Sequence, residues 1–127
     1  MSQSAAEQPV RLRRAGDVLV VTLAGELDLF MALQCGPPID RALIARPGRT
    51  VADLSGVTFI DCSGLALLLR MRRRAARWGG EFAICSPDRG LLRILRYVEV
   101  GEPLAFVDSL PDGGEEPGIP AWMHSLR

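Results

Sequence analysis

The chain has 127 residues, enough for one domain of ordinary size and too few for two, and at this length a core forms without metal or disulfide support. Its 48% hydrophobic and 24% charged residues are those of a soluble globular protein. Fifteen basic residues, all arginine, balance fifteen acidic ones, so the whole molecule has no field that draws it to nucleic acid or anionic lipid. No apolar run approaches the roughly 20 residues of a bilayer span, and the first residues lack the basic start and apolar core of a secretory signal. The expectation is a cytoplasmic protein without direct membrane insertion. Cys35, Cys62 and Cys85 are widely spaced with no C-x-x-C pair and read as reduced thiols, not as a disulfide frame or a zinc cage.

Residues 1–8 are expected to be a flexible N-terminus. Val10-Arg11-Leu12-Arg13 alternates apolar and charged residues, Ala15-Gly16-Asp17 supplies turn chemistry, and Val18-Leu19-Val20-Val21-Thr22-Leu23 follows, which predicts a β-hairpin. Gly25 suits a strand exit and Asp28 a helix N-cap. From Leu29 to Ala45 the apolar residues Leu29, Ala32, Leu33, Ile39, Leu43 and Ile44 recur at roughly helical spacing. Gly36-Pro37-Pro38 falls inside this stretch and predicts two short pieces or a kink, because proline lacks the backbone donor and crowds the preceding turn.

Thr50-Val51-Ala52-Asp53-Leu54 predicts a short third strand ending at Ser55-Gly56. After Asp61-Cys62-Ser63-Gly64 come strong helix formers as far as Trp78, closed by Gly79-Gly80. Leu65, Leu68, Leu69 and Met71 or Ala75 form the expected buried stripe, with Arg70, Arg73, Arg74 and Arg77 turned to water. Glu81-Phe82-Ala83-Ile84-Cys85 predicts a fourth strand, and Pro87-Asp88 opens a helix through Leu91, Leu92, Ile94 and Leu95. Leu104-Ala105-Phe106-Val107 predicts a last edge strand. Residues 9–109 make up the expected domain, and 110–127 an expected flexible tail low in apolar surface. The order β-β-α-β-α-β-α-β implies an α/β fold with a mixed sheet of four or five strands and flanking α-helices.

Enzyme chemistry finds no foothold. The one histidine, His124, lies in the tail, no lysine exists for a phosphate-binding loop, and no pair of carboxylates is marked for acid and base roles. No cofactor or metal is expected. The informative stretch is Asp53-Leu54-Ser55-Gly56-Val57-Thr58-Phe59-Ile60-Asp61-Cys62-Ser63-Gly64-Leu65, a strand and loop leading into a helix N-terminus with unpaired N–H groups and a partial positive charge. Such an end suits an anion or a phosphorylated side chain. Capping of the helix by Asp61 or Ser63 is the plain structural alternative.

At these residues the sequence resembles the STAS domain, and within it the bacterial anti-sigma factor antagonists. The resemblance rests on Leu23-Ala24-Gly25-Glu26-Leu27-Asp28, on Asp53-Leu54-Ser55-Gly56-Val57, on Phe59-Ile60-Asp61-x-Ser63-Gly64-Leu65 and on Gly79-Gly80. It implies a non-enzymatic module that binds an anti-sigma factor, often a serine kinase of the histidine-kinase-like ATPase type, and so frees a sigma factor for transcription. Glu26, Asp28, Asp61, Cys62, Ser63, Gly64 and Leu65 are the partner-binding residues it implies, in a monomer. In the family the serine after the motif aspartate is phosphorylated, which turns binding off, and a phosphatase restores it.

Here that position is Cys62. Three consequences stay open: Ser63 accepts the phosphate, binding is constitutive, or Cys62 is a thiol switch at a helix N-terminus. Against the last, cysteine is simply a small residue that fits where serine did. The loss of serine also admits another role within the family, a STAS subunit of a lipid-trafficking ABC-type transport complex. The arginines of the helix after Asp61 read as a solvated or acid-pairing face, not a nucleic-acid site. Cys35 and Cys85 read as buried fillers.

Overall fold

The computed structural model describes residues 10–97 and 104–111. Strand β1 (Val10–Ala15) turns through Gly16-Asp17 into β2 (Val18–Leu27), with Val10 opposite Leu23 and Ala15 opposite Val18. Gly16 takes φ 61°, a left-handed conformation that glycine adopts without a Cβ penalty. The chain continues as α1 (Leu29–Leu43), β3 (Arg49–Ile60), α2 (Cys62–Ala76), β4 (Glu81–Cys85), α3 (Arg89–Tyr97) and β5 (Ala105–Val107). One five-stranded sheet results, in the order β1-β2-β3-β4-β5, antiparallel between the first two strands and parallel thereafter. This is the expected mixed sheet and the expected element order.

Each parallel connection, β2-α1-β3, β3-α2-β4 and β4-α3-β5, advances one strand in the same direction. Right-handed crossovers of that kind place all three helices on one face. The core lies there: Leu19, Val21, Leu23, Ala52, Leu54, Phe82 and Ile84 from the strands meet Ile39, Leu43, Leu68, Met71, Leu91 and Leu95 from the helices. The alternate residues Val20, Val51 and Ala83 face the other way and are also buried. Arg13, opposite Val20, donates from Nη1 to the carbonyl of Pro111 at 3.3 Å, so the chain after β5 returns over this second face to β1.

Four local expectations need correction. Pro37 and Pro38 lie inside a continuous α1. The prolines remove donors only to the carbonyls of Leu33 and Gln34, which sit on an exposed stretch where water serves them, while buried Cys35, Ile39 and Leu43 hold the helix to the core. Within the expected apolar set of α1, Leu29, Leu33 and Ile44 are exposed. Strand β3 does not stop at Ser55-Gly56 but runs on to Ile60 beside a β2 that reaches Leu27. In the other helices, Leu67 joins the buried stripe of α2, Leu65 and Leu69 are only partly buried, and Ile94 of α3 is exposed. The expectations for residues 1–8 and for His124 lie outside the described residues, as does the tail beyond Pro111.

Candidate functional site

The sheet becomes irregular where β2 and β3 end. Thr22 pairs with Asp53, but Ala24 pairs with Gly56, and Glu26 with Phe59, so β3 carries extra residues at two register shifts. Bulges of this kind re-aim side chains at the end of a sheet. Gly25 absorbs part of the bend at φ 83°. Glu26 and Phe59 emerge side by side, both exposed, while Leu27 beside them is buried.

Both chains then pass directly into helices through an aspartate. Asp28 caps α1, its Oδ1 accepting from the backbone N–H of Met31 at 3.0 Å. Asp61 caps α2, its Oδ1 accepting from Ser63 N–H at 2.8 Å and Gly64 N–H at 3.1 Å. Such caps satisfy donors that the first helical turn leaves orphaned. Asp61, not Ser63, is therefore the capping residue. The two starts are tied together, since the N–H of Asp61 donates to the carbonyl of Leu27 at 3.3 Å. Gly64 is buried against that same carbonyl, where a side chain has no room.

Cys62 is the first residue of α2 and is exposed. Ser63 is half-buried and looks toward α1, and Leu65 is partly buried against the core. The site residues expected from the sequence thus divide. Gly64 and Leu65 hold the start of α2 in place, Asp28 and Asp61 cap, and Glu26 and Cys62 present themselves to solvent.

Sequence reasoning missed the apolar surface around them. Leu29, Phe30 and Leu33 on the outer side of α1 and Phe59 on β3 are large exposed hydrophobics. A signal existed: the buried residues of α1 are Cys35, Ile39 and Leu43, and at 100° per residue Leu33 lies nearly opposite Cys35. Contiguous exposed apolar surface on a small domain marks an interaction site. Between α1 and α2 runs an open groove of about 430 Å³, with Ala32, Leu33, Pro37, Ala66 and Leu67 among its lining residues. At one end Asp40 of α1 binds Arg70 at 2.7 Å and Arg74 at 3.1 Å. Arg70, with its side-chain hydrogen bond to Asp40, is held more firmly protonated than usual.

The other cysteines are interior groups. Cys35 is fully buried, and burial pushes its thiol up to about 11. Cys85 is buried on the second face of the sheet, its thiol pushed up by burial and by the carboxylates of Asp53 and Asp108. Asp53, only 6% exposed, accepts from the Thr22 hydroxyl at 3.3 Å and from Ser55 N–H at 3.0 Å, which makes it a brace for the strand, not a site group. Among the described residues no cluster of His, Cys, Asp or Glu is arranged to hold a metal ion, and no helix is long and apolar enough to cross a membrane.

A mixed sheet with its helices on one face, the Gly-Glu-Leu-Asp end of β2 and the aspartate-capped start of α2 together define a STAS domain. The sequence signature of that domain matches residues 9–112, and the chain belongs to the STAS family. An anti-sigma F factor antagonist of Paenibacillus polymyxa is 33% identical over 79 residues, 61% of this chain and 68% of the relative. Among solved structures, the anti-sigma factor antagonist SpoIIAA in its unphosphorylated form is 19% identical with a TM-score of 0.64, over 80% of this chain and 89% of that one. The same Bacillus cell fate determinant in its phosphorylated form gives 18% and 0.63, over 93% and 99%. An anti-sigma-factor antagonist (STAS) domain protein of Planctomyces limnophilus gives 23% and 0.66, over 79% and 89%. At these identities the solved structures bear on the fold alone.

Proposed function

We propose that the chain is an anti-sigma factor antagonist, which binds an anti-sigma factor through the surface around Glu26, Asp28, Asp61, Cys62 and Ser63 and so releases a sigma factor for transcription. The observation that carries this reading is the exposed Cys62 at the start of α2. Asp61 fixes the first turn, Cys62 projects from it, and exposed Glu26, Phe59, Leu29 and Phe30 lie on the segments that converge there. Such a surface has apolar anchors and a charged edge, the make-up of a protein contact. The name of the Paenibacillus polymyxa relative supports the same reading.

The partner is a serine kinase of the ATPase type, opposed by a phosphatase, or else an anti-sigma factor that binds constitutively. Cys62 lacks the hydroxyl that such a kinase modifies. Ser63 has one, but its N–H is bound to the Asp61 carboxylate. A phosphate there brings about −1.5 to −2 charges beside that carboxylate and opposes the cap as well as the contact. The test is calorimetric titration of the purified chain against the anti-sigma factors of its source, with ATP and with ADP, followed by phosphopeptide mapping. Saturable binding to one of them supports the reading. Binding to none of them, with co-purification of a permease and its ATPase, replaces it with the transport-subunit role.

A further inference from the structure

The chain is neutral as a whole, but its charge is unevenly spread. Residues 29–46 and 62–80, which contain α1 and α2, hold seven arginines and one carboxylate, Asp40. Arg70 at 2.7 Å and Arg74 at 3.1 Å share that carboxylate and tie the two helices together. Among the described residues Arg73 and Arg77 have no carboxylate partner, and both are exposed. At 100° per residue, Ala66, Arg70, Arg73 and Arg77 fall on one outer ridge of α2, small at its start and cationic toward its end.

Across the groove, Leu33 and Pro37 of α1 form an exposed apolar wall, while Ala32 and Gly36 leave the floor bare of large side chains. Both helices return against parallel strands and so run the same way. The groove is therefore apolar toward the end where Asp61 caps α2 and cationic toward the other. An occupant must match both halves. A polyanion neutralises the arginines but leaves Leu33 in water, and a purely apolar segment desolvates Arg73 without giving it a partner. A helix with apolar residues on one face and carboxylates beside them meets both demands, and helices pack lengthwise into such grooves. A second copy of this chain does not supply one: α2 and α3 carry no carboxylate, and the single one on α1 is already shared.

We propose that the groove between α1 and α2 docks an acidic amphipathic helix of a protein partner, its apolar face on Leu33, Pro37 and Ala66 and its carboxylates on Arg73 and Arg77. From Ala66 to Arg77 the helix rises about 16 Å, so about three turns of the partner span both halves. Arg73 lies about three turns beyond Cys62, so this contact is separate from the one at the start of α2 and adds to it. The inference deepens the proposed function and rests on it for one point only, that the docked helix belongs to the anti-sigma factor.

The experiment selects binders without assuming a partner. A display library of random peptides of about 16 residues, long enough for a marginal helix, is panned against the immobilised full chain. The enriched sequences are read, and their sites are located by amide chemical-shift changes. Enriched peptides are expected to carry apolar residues at i, i+3, i+4 and i+7 with an excess of Asp and Glu, and to shift Leu33, Ala66 and Arg73. The double variant Arg73→Glu, Arg77→Glu is expected to weaken them about tenfold or more, because each reversal exchanges an attraction for a repulsion. Leu33→Asp weakens them likewise. All three positions are exposed, so far-ultraviolet circular dichroism stays unchanged.

No enriched family, enrichment without acidic excess, or binding insensitive to these variants overturns the proposal. Self-association in sedimentation at rising concentration that blocks the selected peptides also overturns it and assigns the groove to a second copy. The anti-sigma factor takes no part in this selection, so failure here leaves the proposed function standing. Acidic helices selected by a chain that binds no anti-sigma factor would remove that function and keep the docking site.

Discussion

The α-carbon of Gly64 rests against the carbonyl oxygen of Leu27, and a Cβ on it would also come within 2.8 Å of Leu27 Cγ and 2.9 Å of Ile60 Cγ1. This contact sets the first turn of α2 at the end of β2. Alanine gains about 1 kcal/mol of helix propensity over glycine, but overpacking against backbone costs about 1–3 kcal/mol and displaces the turn. Gly64→Ala is expected to lower stability in urea unfolding and to weaken partner binding. Equal or higher stability would show that the helix start yields freely.

Asp61 contributes through its two accepted hydrogen bonds at the start of α2. Asp61→Ala is expected to cost about 0.5–2 kcal/mol, and Asp61→Asn, which keeps the accepting oxygen, much less. Thermal unfolding of both variants checks the difference. Equal losses in both would assign the effect to the charge near the helix N-terminus and not to the cap.

The three cysteines differ in access. In the native chain one thiol, Cys62, is expected to react promptly with a disulfide reagent, and all three after unfolding. Cys35 also makes stability depend on alkaline pH. Its folded value of about 11 lies above the ordinary thiol value of 9.0, so the unfolded state loses its proton first as pH rises. Its contribution is intact below pH 9 and is lost from there toward pH 11, with a slope of at most about 1.4 kcal/mol per unit. Burial pushes Cys85 the same way. Urea midpoints taken between pH 8 and pH 10.5, with Cys35→Ala as comparison, read this out. An identical slope in that variant removes Cys35 as the cause.

Much of this architecture is legible in the sequence because its signals are local. The hairpin at Gly16-Asp17, the glycine stop after α2 and the caps at Asp28 and Asp61 each depend on a few adjacent residues. What was not legible depends on partners far along the chain. Pro37 and Pro38 look like helix breakers until the buried Cys35, Ile39 and Leu43 hold α1 together around them. Ser55-Gly56 looks like a strand end until β2 continues alongside it and bulges accommodate both strands. Arg70 and Arg74 read as a solvated or acid-pairing face, but the acid they pair with, Asp40, is known only once α1 packs beside α2.

Cys62 bears directly on the proposed switch. Cys62→Ser places a hydroxyl after Asp61 at the exposed first position of α2, with minimal change in volume. If the partner is a serine kinase, this variant is expected to gain one phosphate in the presence of ATP and then to release the partner, while the unaltered chain stays bound. Mass spectrometry of the intact chain reads the phosphate. Modification of the unaltered chain at Ser63 would instead locate the switch one residue on.

The apolar surface separates binding from folding most cleanly. Phe30 is largely exposed, whereas Leu27, three residues earlier, is fully buried between the sheet and α2. Leu27→Ala is expected to cost about 2–5 kcal/mol of stability, because it removes core contacts and leaves a void. Phe30→Ser removes almost no intramolecular burial, so its unfolding midpoint is expected to stay within about 0.5 kcal/mol of the unaltered chain. If Phe30 anchors the partner, the same substitution weakens the complex by about 2 kcal/mol or more, roughly 30-fold in Kd. Calorimetric titration beside urea unfolding measures both. Unchanged affinity would move the contact away from α1 and confine it to Glu26, Phe59 and the first turn of α2.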